Sequence, residues 1–281
     1  MKWQGRRGSG NIEDRRRMST GRAGGLGLGG VLAVLAIGYF LGIDVTPFLS
    51  GGPIGGSSQP ADLTEADMRA GEFVSVTLAD TEEIWTDIFA QDLGETYEPA
   101  TLVLFKQVTQ SPCGGASGAT GPFYCPLDKK AYLDTDFFTT LAERMGAGGD
   151  FAAAYVVAHE IAHHVQDELG ILGEANRIRQ QASEAESNAI SVRIELQADC
   201  FSGVWARHAN ERFGSIEAGD VAEAMNAAKQ IGDDTLQRNA GRRPMPHTFT
   251  HGTSEQRQRW FATGYQSGSI AACDTFGATD L

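Results

Sequence analysis

The stretch that decides the fold is FAAAYVVAHEIAHHVQ, residues 151–166. It is mostly apolar, yet it contains the pattern HExxH, formed by His159, Glu160 and His163. Residues four apart on a helix lie one above the other, so the two imidazoles can converge on one cation. Two histidines and a glutamate are costly to bury without partners, and a metal ion supplies them. The sequence therefore predicts a metal site on this helix, with Glu160 beside the ion.

A catalytic zinc site needs a third protein ligand and one open position. A third histidine close by would require glycine at position 166 and histidine at position 169, where this chain has Gln166 and Leu169. The other arrangement places a glutamate on a later helix, with an aspartate four residues further on the same face. Among the downstream glutamates considered, only Glu195, followed by Asp199, has this spacing. We expect Glu195 to bind the metal and Asp199 to hold a ligating histidine through its other ring nitrogen.

Further motifs resemble the bacterial putative neutral zinc metallopeptidase family. They are WQGRRGSGNIEDRR, GPFYCP, YLDTDFF, VVAHEIAHHVQ, RIELQADC and THGTSEQRQRWF, and the resemblance leaves mainly residues 45–61 unmatched. HExxH followed by ExxxD is also similar to the gluzincin class. The resemblance implies an α+β, zincin-like domain, mainly helical with a small sheet. It also implies Zn²⁺ on His159, His163 and Glu195, and peptide-bond hydrolysis by zinc-activated water with Glu160 as catalytic acid/base.

The four remaining histidines have different predicted roles. His251 lies in a loop before a helix start, and we expect it to donate a hydrogen bond to the oxyanion of the tetrahedral intermediate. It is also, with His247, the next candidate for the third ligand if Glu195 is not one. His164 points about 100° away from His163 and is predicted to be structural. His208 is predicted to interact only with a helix C-terminus.

Periodicity predicts helices over residues 62–95, 151–168, 184–210, 217–231 and 254–263 and a buried strand over 100–105. The segment 131–138 (AYLDTDFF) is typical of an edge strand that leads into a helix. We expect a substrate main chain to add antiparallel to this strand.

Charge is distributed unevenly along the chain. The net charge is −13, whereas residues 1–22 carry seven basic and two acidic side chains, a net +5 that leaves −18 for the rest. Such an acidic body repels phosphate backbones, so nucleic acid is not an expected partner.

The run LGLGGVLAVLAIGYFLGI, residues 26–43, carries no charge and follows the basic head. This predicts a single-pass transmembrane anchor over residues 24–43, with residues 1–23 cytoplasmic. Residues 44–61 are then a flexible tether, and residues 62–281 an extracytoplasmic metallopeptidase domain at the cytoplasmic membrane. Paired glycines in the anchor could support a homo-oligomer.

Four cysteines suit two disulfides in an oxidising compartment. Cys113 and Cys125 bracket a Gly-rich loop, so we predict that they pair and that Cys200 pairs with Cys273. The two other pairings, and four reduced thiols, remain open.

Two other functions fit the same pattern. One is a non-catalytic, zinc-stabilised assembly or chaperone factor of the cell envelope, and the other is a zinc amidase that acts on cell-wall peptides. Neither the substrate nor the role of the N-terminal motif follows from the sequence.

Overall fold

The fold is built around one helix, Asp150–Glu168, that is buried along most of its length. The computed structural model describes residues 1–18, 62–117 and 121–281. Because other elements cover most faces of this helix, its sequence is apolar nearly all round and lacks the polar stripe of a surface helix.

The helices in the described ranges are α1 (Glu65–Ile88), α2 (Asp136–Thr139), α3 (Asp150–Glu168), α4 (Ile171–Arg179), α5 (Glu184–Phe213), α6 (Asp220–Gln230), α7 (Asp233–Asn239) and α8 (Ser254–Ser267). Phe89–Leu93 and Thr140–Arg144 are π-helical turns, and Pro246–Thr248 and Ile270–Cys273 are 3₁₀ helices. The strands are β1 (Ile12–Asp14), β2 (Thr101–Phe105), β3 (Val108–Ser111), β4 (Gly114–Ser117), β5 (Phe123–Cys125) and β6 (Lys130–Asp134). The predicted class, α+β and mainly helical with a small sheet, is confirmed.

The predicted long helices are present, and local signals set their first residues. Capping boxes formed by Thr64 with Asp67, Ser183 with Glu186 and Thr253 with Gln256 begin α1, α5 and α8. Each box satisfies orphan N–H groups in the first turn. The short helices α4 and α7 were not predicted, since nine and seven residues are fewer than the window over which a helical period is recognised.

The four-stranded sheet has the order β1-β2-β6-β5, and β3 pairs with β4 in a separate hairpin. Strands β1, β2 and β6 run parallel, whereas β5 runs antiparallel to β6. The prediction of an edge strand over 131–138 is therefore wrong, because β6 lies inside the sheet. Composition identified a strand there, but it carries no information about which strands pair with it.

Residues 1–18 are part of the same folded body. Strand β1 pairs with β2, with Ile12 opposite Leu102. Trp3 is buried and packs edge-to-face on Phe73 of α1, with ring centroids 5.5 Å apart. Four arginines of this segment form ion pairs with acidic side chains: Arg6 with Asp80, Arg7 with Glu83, Arg15 with Glu13 and Arg16 with Asp14.

The predicted single-pass topology is wrong. Residues 24–43 and the tether 44–61 lie outside the described residues, and none of the helices that the structure describes is long and apolar enough to span a bilayer. Strand β1 before this segment pairs with β2 after it, so both lie on one side of any membrane. A single membrane crossing between β1 and β2 would instead place the head and the domain on opposite sides, which this pairing excludes. Arg6 and Arg7 of the basic head instead pair with carboxylates of α1. The oligomer proposed through the anchor loses its basis.

Both predicted disulfides are present. Cys113, in the β3–β4 turn, is bonded to Cys125 at the end of β5. Cys200 of α5 is bonded to Cys273 of the last 3₁₀ helix.

Helices α5 and α8 pack with almost no space between their backbones. A Cβ on Gly264 would lie 1.9 Å from the carbonyl oxygen of Cys200, and one on Gly203 would lie 2.1 Å from that of Phe261. Only glycine allows this approach. It brings the first turn of α8 close to the middle of α5.

The N-terminal segment makes one buried and one exposed ion pair, and these should differ in their contributions. Arg6 donates to both oxygens of Asp80 at 2.6 and 2.7 Å, and the Asp80 side chain is 4% exposed. We predict that Arg6→Ala lowers the free energy of unfolding by about 3 kcal/mol, because it leaves a buried carboxylate unpaired. Arg7→Ala, which breaks an exposed pair with Glu83, should have a much smaller effect, because water and salt screen that pair. Urea unfolding measures both, and equal losses would contradict the importance of Asp80 burial.

Candidate metal centre

Helices α3 and α5 bring His159, His163 and Glu195 together. Nε2 of His159 lies 3.1 Å from Oε2 of Glu195, and Nε2 of His163 lies 3.4 Å from Oε1 of the same carboxylate. One ligand atom from each of the three side chains lies within 4.8 Å of the others. The HExxH pattern and the later glutamate thus meet at one point.

This donor set fits zinc. Imidazole nitrogen and carboxylate oxygen are zinc ligands, and three protein ligands leave a fourth position open. A second group, Asp150, Asp220 and Glu223, contains carboxylates alone, and Asp150 and Asp220 bind the amino group of Met1.

Electrostatics at the centre favour positive charge. Burial alone would lower the pKa of His159, but Asp199 and Glu195 outweigh it and raise the pKa to about 10. Burial alone would raise the pKa of Glu195, but His163 and His251 hold it well below its ordinary value. A divalent cation at this point would be attracted by the same carboxylate charges that raise the pKa of His159.

His159 is supported by a buried ionic group. Its Nδ1 lies 3.0 Å from Oδ1 of Asp199, although at an angle that is not that of a hydrogen bond. Arg257 of α8 donates to both Asp199 oxygens at 2.8 and 2.9 Å, and the Tyr155 hydroxyl donates to Oδ1 at 2.5 Å. Burial alone would raise the pKa of Asp199, but Arg257 and His159 lower it, so this carboxylate is ionised.

Sequence reasoning missed Tyr155 and Arg257. One signal was available for the tyrosine, since Tyr155 precedes His159 by four residues and so shares its helix face. Arg257 carries no comparable signal, because the close packing of α5 and α8 brings it to Asp199.

His163 is held by uncharged groups. Its Nδ1 donates to Oε1 of Gln166 at 2.8 Å, and Gln166 in turn donates to the Ile194 carbonyl oxygen and to Gln197 at 2.8 and 3.0 Å. The sequence analysis used Gln166 only to exclude a third histidine. Its spacing of three residues from His163 was the signal that could have identified it.

Glu160 lies on α3 next to the ligands and is buried. Burial raises the pKa of its carboxyl group, against the opposing charges of His159 and His163. A raised carboxyl pKa is typical of groups that exchange protons near neutral pH.

The sequence matches the family described as "Putative neutral zinc metallopeptidase" over residues 1–276. The chain belongs to this family. YpfJ of Escherichia coli (strain K12) is 44% identical over 287 residues, which cover 99% of each chain. Rv2575 of Mycobacterium tuberculosis (strain H37Rv) is 46% identical over 195 residues, 66% of this chain and 65% of its own. The names of these relatives state no activity, and no solved structure matches the chain significantly.

Membership of the neutral zinc metallopeptidase family confirms the resemblance and implies a Zn²⁺ cofactor. The three converging side chains fit that ion. The individual ligands and the general acid/base remain proposals that rest on the geometry.

His251 lies beside the candidate metal centre, on a loop that Asp233 organises. Oδ2 of Asp233 accepts the backbone N–H groups of Thr250, His251 and Gly252 at 2.7, 2.7 and 3.1 Å. Oδ1 of Asp233 lies 3.2 Å from Nδ1 of the His251 ring. Burial alone would lower the pKa of His251, but Glu195 and Asp233 raise it. The sequence analysis missed Asp233, which gave no signal because it lies eighteen residues from His251.

The other histidines do not belong to the group of three ligands. His164 is buried, with Nε2 2.6 Å from the Glu98 carbonyl oxygen and Nδ1 3.1 Å from the Tyr124 hydroxyl. His208 lies 2.8 Å from the Gly268 carbonyl oxygen at the end of α8. His247 lies in the 3₁₀ helix Pro246–Thr248.

The ligand set predicts graded effects on zinc affinity. Glu195→Ala should weaken zinc binding most, because it removes a donor atom. Asp199→Asn should weaken it by about 10- to 100-fold, as expected of a group that acts through a ligating histidine. Glu184→Ala, on the exposed first turn of the same helix, is the control and should leave affinity unchanged. Competition with a chelator measures all three, and unchanged binding in Glu195→Ala would place the third ligand elsewhere.

Proposed function

We propose that this protein is a zinc-dependent endopeptidase in which His159, His163 and Glu195 bind zinc and Glu160 is the general acid/base. The observation that carries the proposal is the convergence of these ligands on one point, with Glu160 buried on the same helix. When bound, zinc polarises the scissile carbonyl group and lowers the pKa of water.

Glu160 has the properties that proton transfer requires. It is fixed on α3, and its burial favours the neutral carboxyl form more than water would. A carboxylate oxygen of Glu160 accepts a proton from the attacking water and then delivers it to the nitrogen of the leaving amine.

His251 is proposed to stabilise the oxyanion. Because Asp233 lies against Nδ1, Nε2 is the nitrogen available to donate outward. The side chain is 48% exposed, so a substrate can reach it. A donor placed where negative charge develops contributes mainly in the transition state.

The substrate main chain is proposed to pair with β5 rather than with 131–138. Strand β5 is the antiparallel edge of the sheet and is joined to α3 by Tyr124, whose hydroxyl donates to Asp167 at 2.8 Å. Main-chain pairing at an edge is tolerant of sequence. An antiparallel edge strand beside the helix that carries HExxH also supports a zincin-like arrangement.

A purely structural zinc site is less well supported. Structural sites use four protein ligands, whereas three converge here among the described residues.

Glu160→Gln tests the mechanism. We expect this variant to retain zinc and to lose peptide hydrolysis by roughly 10²- to 10⁴-fold, because the ligands remain and the proton carrier is lost. Glu168→Gln is the control. It makes the same change at the last residue of α3, outside the HExxH pattern, and should retain activity. Zinc content and turnover are measured on one preparation, with a denatured protein and with purified cell-wall peptides. Cleavage of wall peptides alone would make the protein an amidase, and a zinc-loaded wild type inert on both would favour a non-catalytic role.

His251→Ala tests the oxyanion donor. It should lower kcat by roughly 100- to 1000-fold with zinc content and KM nearly unchanged, because the hydrogen bond forms mainly in the transition state. His247→Ala, in the nearby 3₁₀ helix Pro246–Thr248, is the control and should retain activity. Loss of zinc in His251→Ala would instead make His251 a ligand, and full activity would remove it from the mechanism.

A further inference from the structure

The hydrogen bonds that hold His163 continue through the core and end at a disulfide. Nε2 of Gln166 donates to Oε1 of Gln197 at 3.0 Å, and Nε2 of Gln197 donates to the carbonyl oxygen of Cys273 at 3.0 Å. Gln166 is 0% exposed and Gln197 is 6% exposed. Water is therefore largely excluded from these bonds, and each partner depends on the next.

Two carbonyl oxygens fix the direction of the bonds in this chain. A carbonyl oxygen can only accept, so Gln197 must turn its NH₂ group to Cys273 and its Oε1 to Gln166. Gln166 presents its NH₂ group both to Gln197 and to the Ile194 carbonyl oxygen, and therefore its Oε1 to His163. The Nδ1 of His163 is thereby required to carry a proton, and Nε2 is directed toward Glu195. An imidazole with a protonated Nδ1 offers the lone pair of Nε2 to a metal.

The position of that carbonyl oxygen depends on a cross-link. Cys273 lies in the short 3₁₀ helix Ile270–Cys273, and its disulfide to Cys200 holds this helix against α5. Cys200 follows Gln197 by three residues, so the two lie on neighbouring positions of one helix face. The disulfide therefore holds the terminal acceptor beside the side chain that must reach it.

We propose that the Cys200–Cys273 disulfide positions a zinc ligand, acting through Gln197 and Gln166 on the orientation of the His163 ring. The proposal rests on the proposed role of His163 in binding zinc. It assigns to this disulfide a part in the metal centre that Cys113–Cys125 lacks, since the latter joins the β3–β4 turn to β5.

A mutant cycle on the full chain tests the coupling. Zinc affinity is measured by chelator competition for the wild type, Gln197→Leu, the pair Cys200→Ala with Cys273→Ala, and the combined variant. We expect Gln197→Leu and the cysteine pair each to weaken zinc binding by about 10- to 100-fold. The combined variant should lose little more than either, because both changes interrupt one chain of bonds.

Two controls separate this role from general stabilisation. The pair Cys113→Ala with Cys125→Ala removes the other disulfide and should leave zinc affinity unchanged. Gln258→Leu removes a similar amide, one that donates to the Met225 carbonyl oxygen away from the ligands, and should also leave it unchanged. The Tm of the zinc-free proteins is measured in parallel, because a merely structural role lowers Tm without lowering affinity.

Additive losses in the combined variant, or wild-type affinity in Gln197→Leu, would overturn the proposal while leaving the proposed function intact. A wild type that binds no zinc would overturn both. If the cysteine pair does not fold, Gln197→Glu decides, because it keeps an acceptor for Gln166 and removes the donor to Cys273. Wild-type zinc affinity in Gln197→Glu would then contradict the inference, and a loss of about 10- to 100-fold would support it.

Discussion

One buried and one partly buried carboxylate on one face of α5 impose the constraint on which the centre of this protein depends. Glu195 and Asp199 are both covered by α3, and a buried carboxylate is costly unless a positive charge or several donors meet it. Asp199 is met by the guanidinium of Arg257. Glu195 faces the two imidazoles of α3, where zinc would complete the charge balance. The side chains at which α3 and α5 meet are therefore also those that would bind the metal.

This constraint explains why the helix packing around α5 is so close. For Arg257 to reach Asp199, the backbone of α8 must approach α5, and Gly203 and Gly264 permit that approach. The two imidazoles are oriented by different means, His159 by an ionic group and His163 by amides. A charged and a neutral support give the two imidazoles different electronic surroundings, while both rings direct Nε2 to the same carboxylate.

The sheet and the N-terminal segment serve the same centre from outside. β1 and β5 are the two edge strands of the four-stranded sheet, and β5 is the edge that lies next to α3. An exposed edge is a place where another chain can pair. The strand addition proposed at β5 would therefore place a substrate main chain beside the helix that carries HExxH.

The sequence by itself determined the features that depend on spacing along one helix or on a short loop. The pairs His159 with His163 and Glu195 with Asp199 follow from a spacing of four residues, and the capped helix starts follow from local hydrogen bonding. Only the tertiary structure decided which elements are neighbours: that β1 lies beside β2, that β6 is internal, and that Arg257, 58 residues from Asp199, completes its surroundings. Periodicity describes which residues share a face, but it does not say what that face meets. The basic head therefore suggested a membrane orientation, because the partners of Arg6 and Arg7 lie more than seventy residues away in the sequence, on α1.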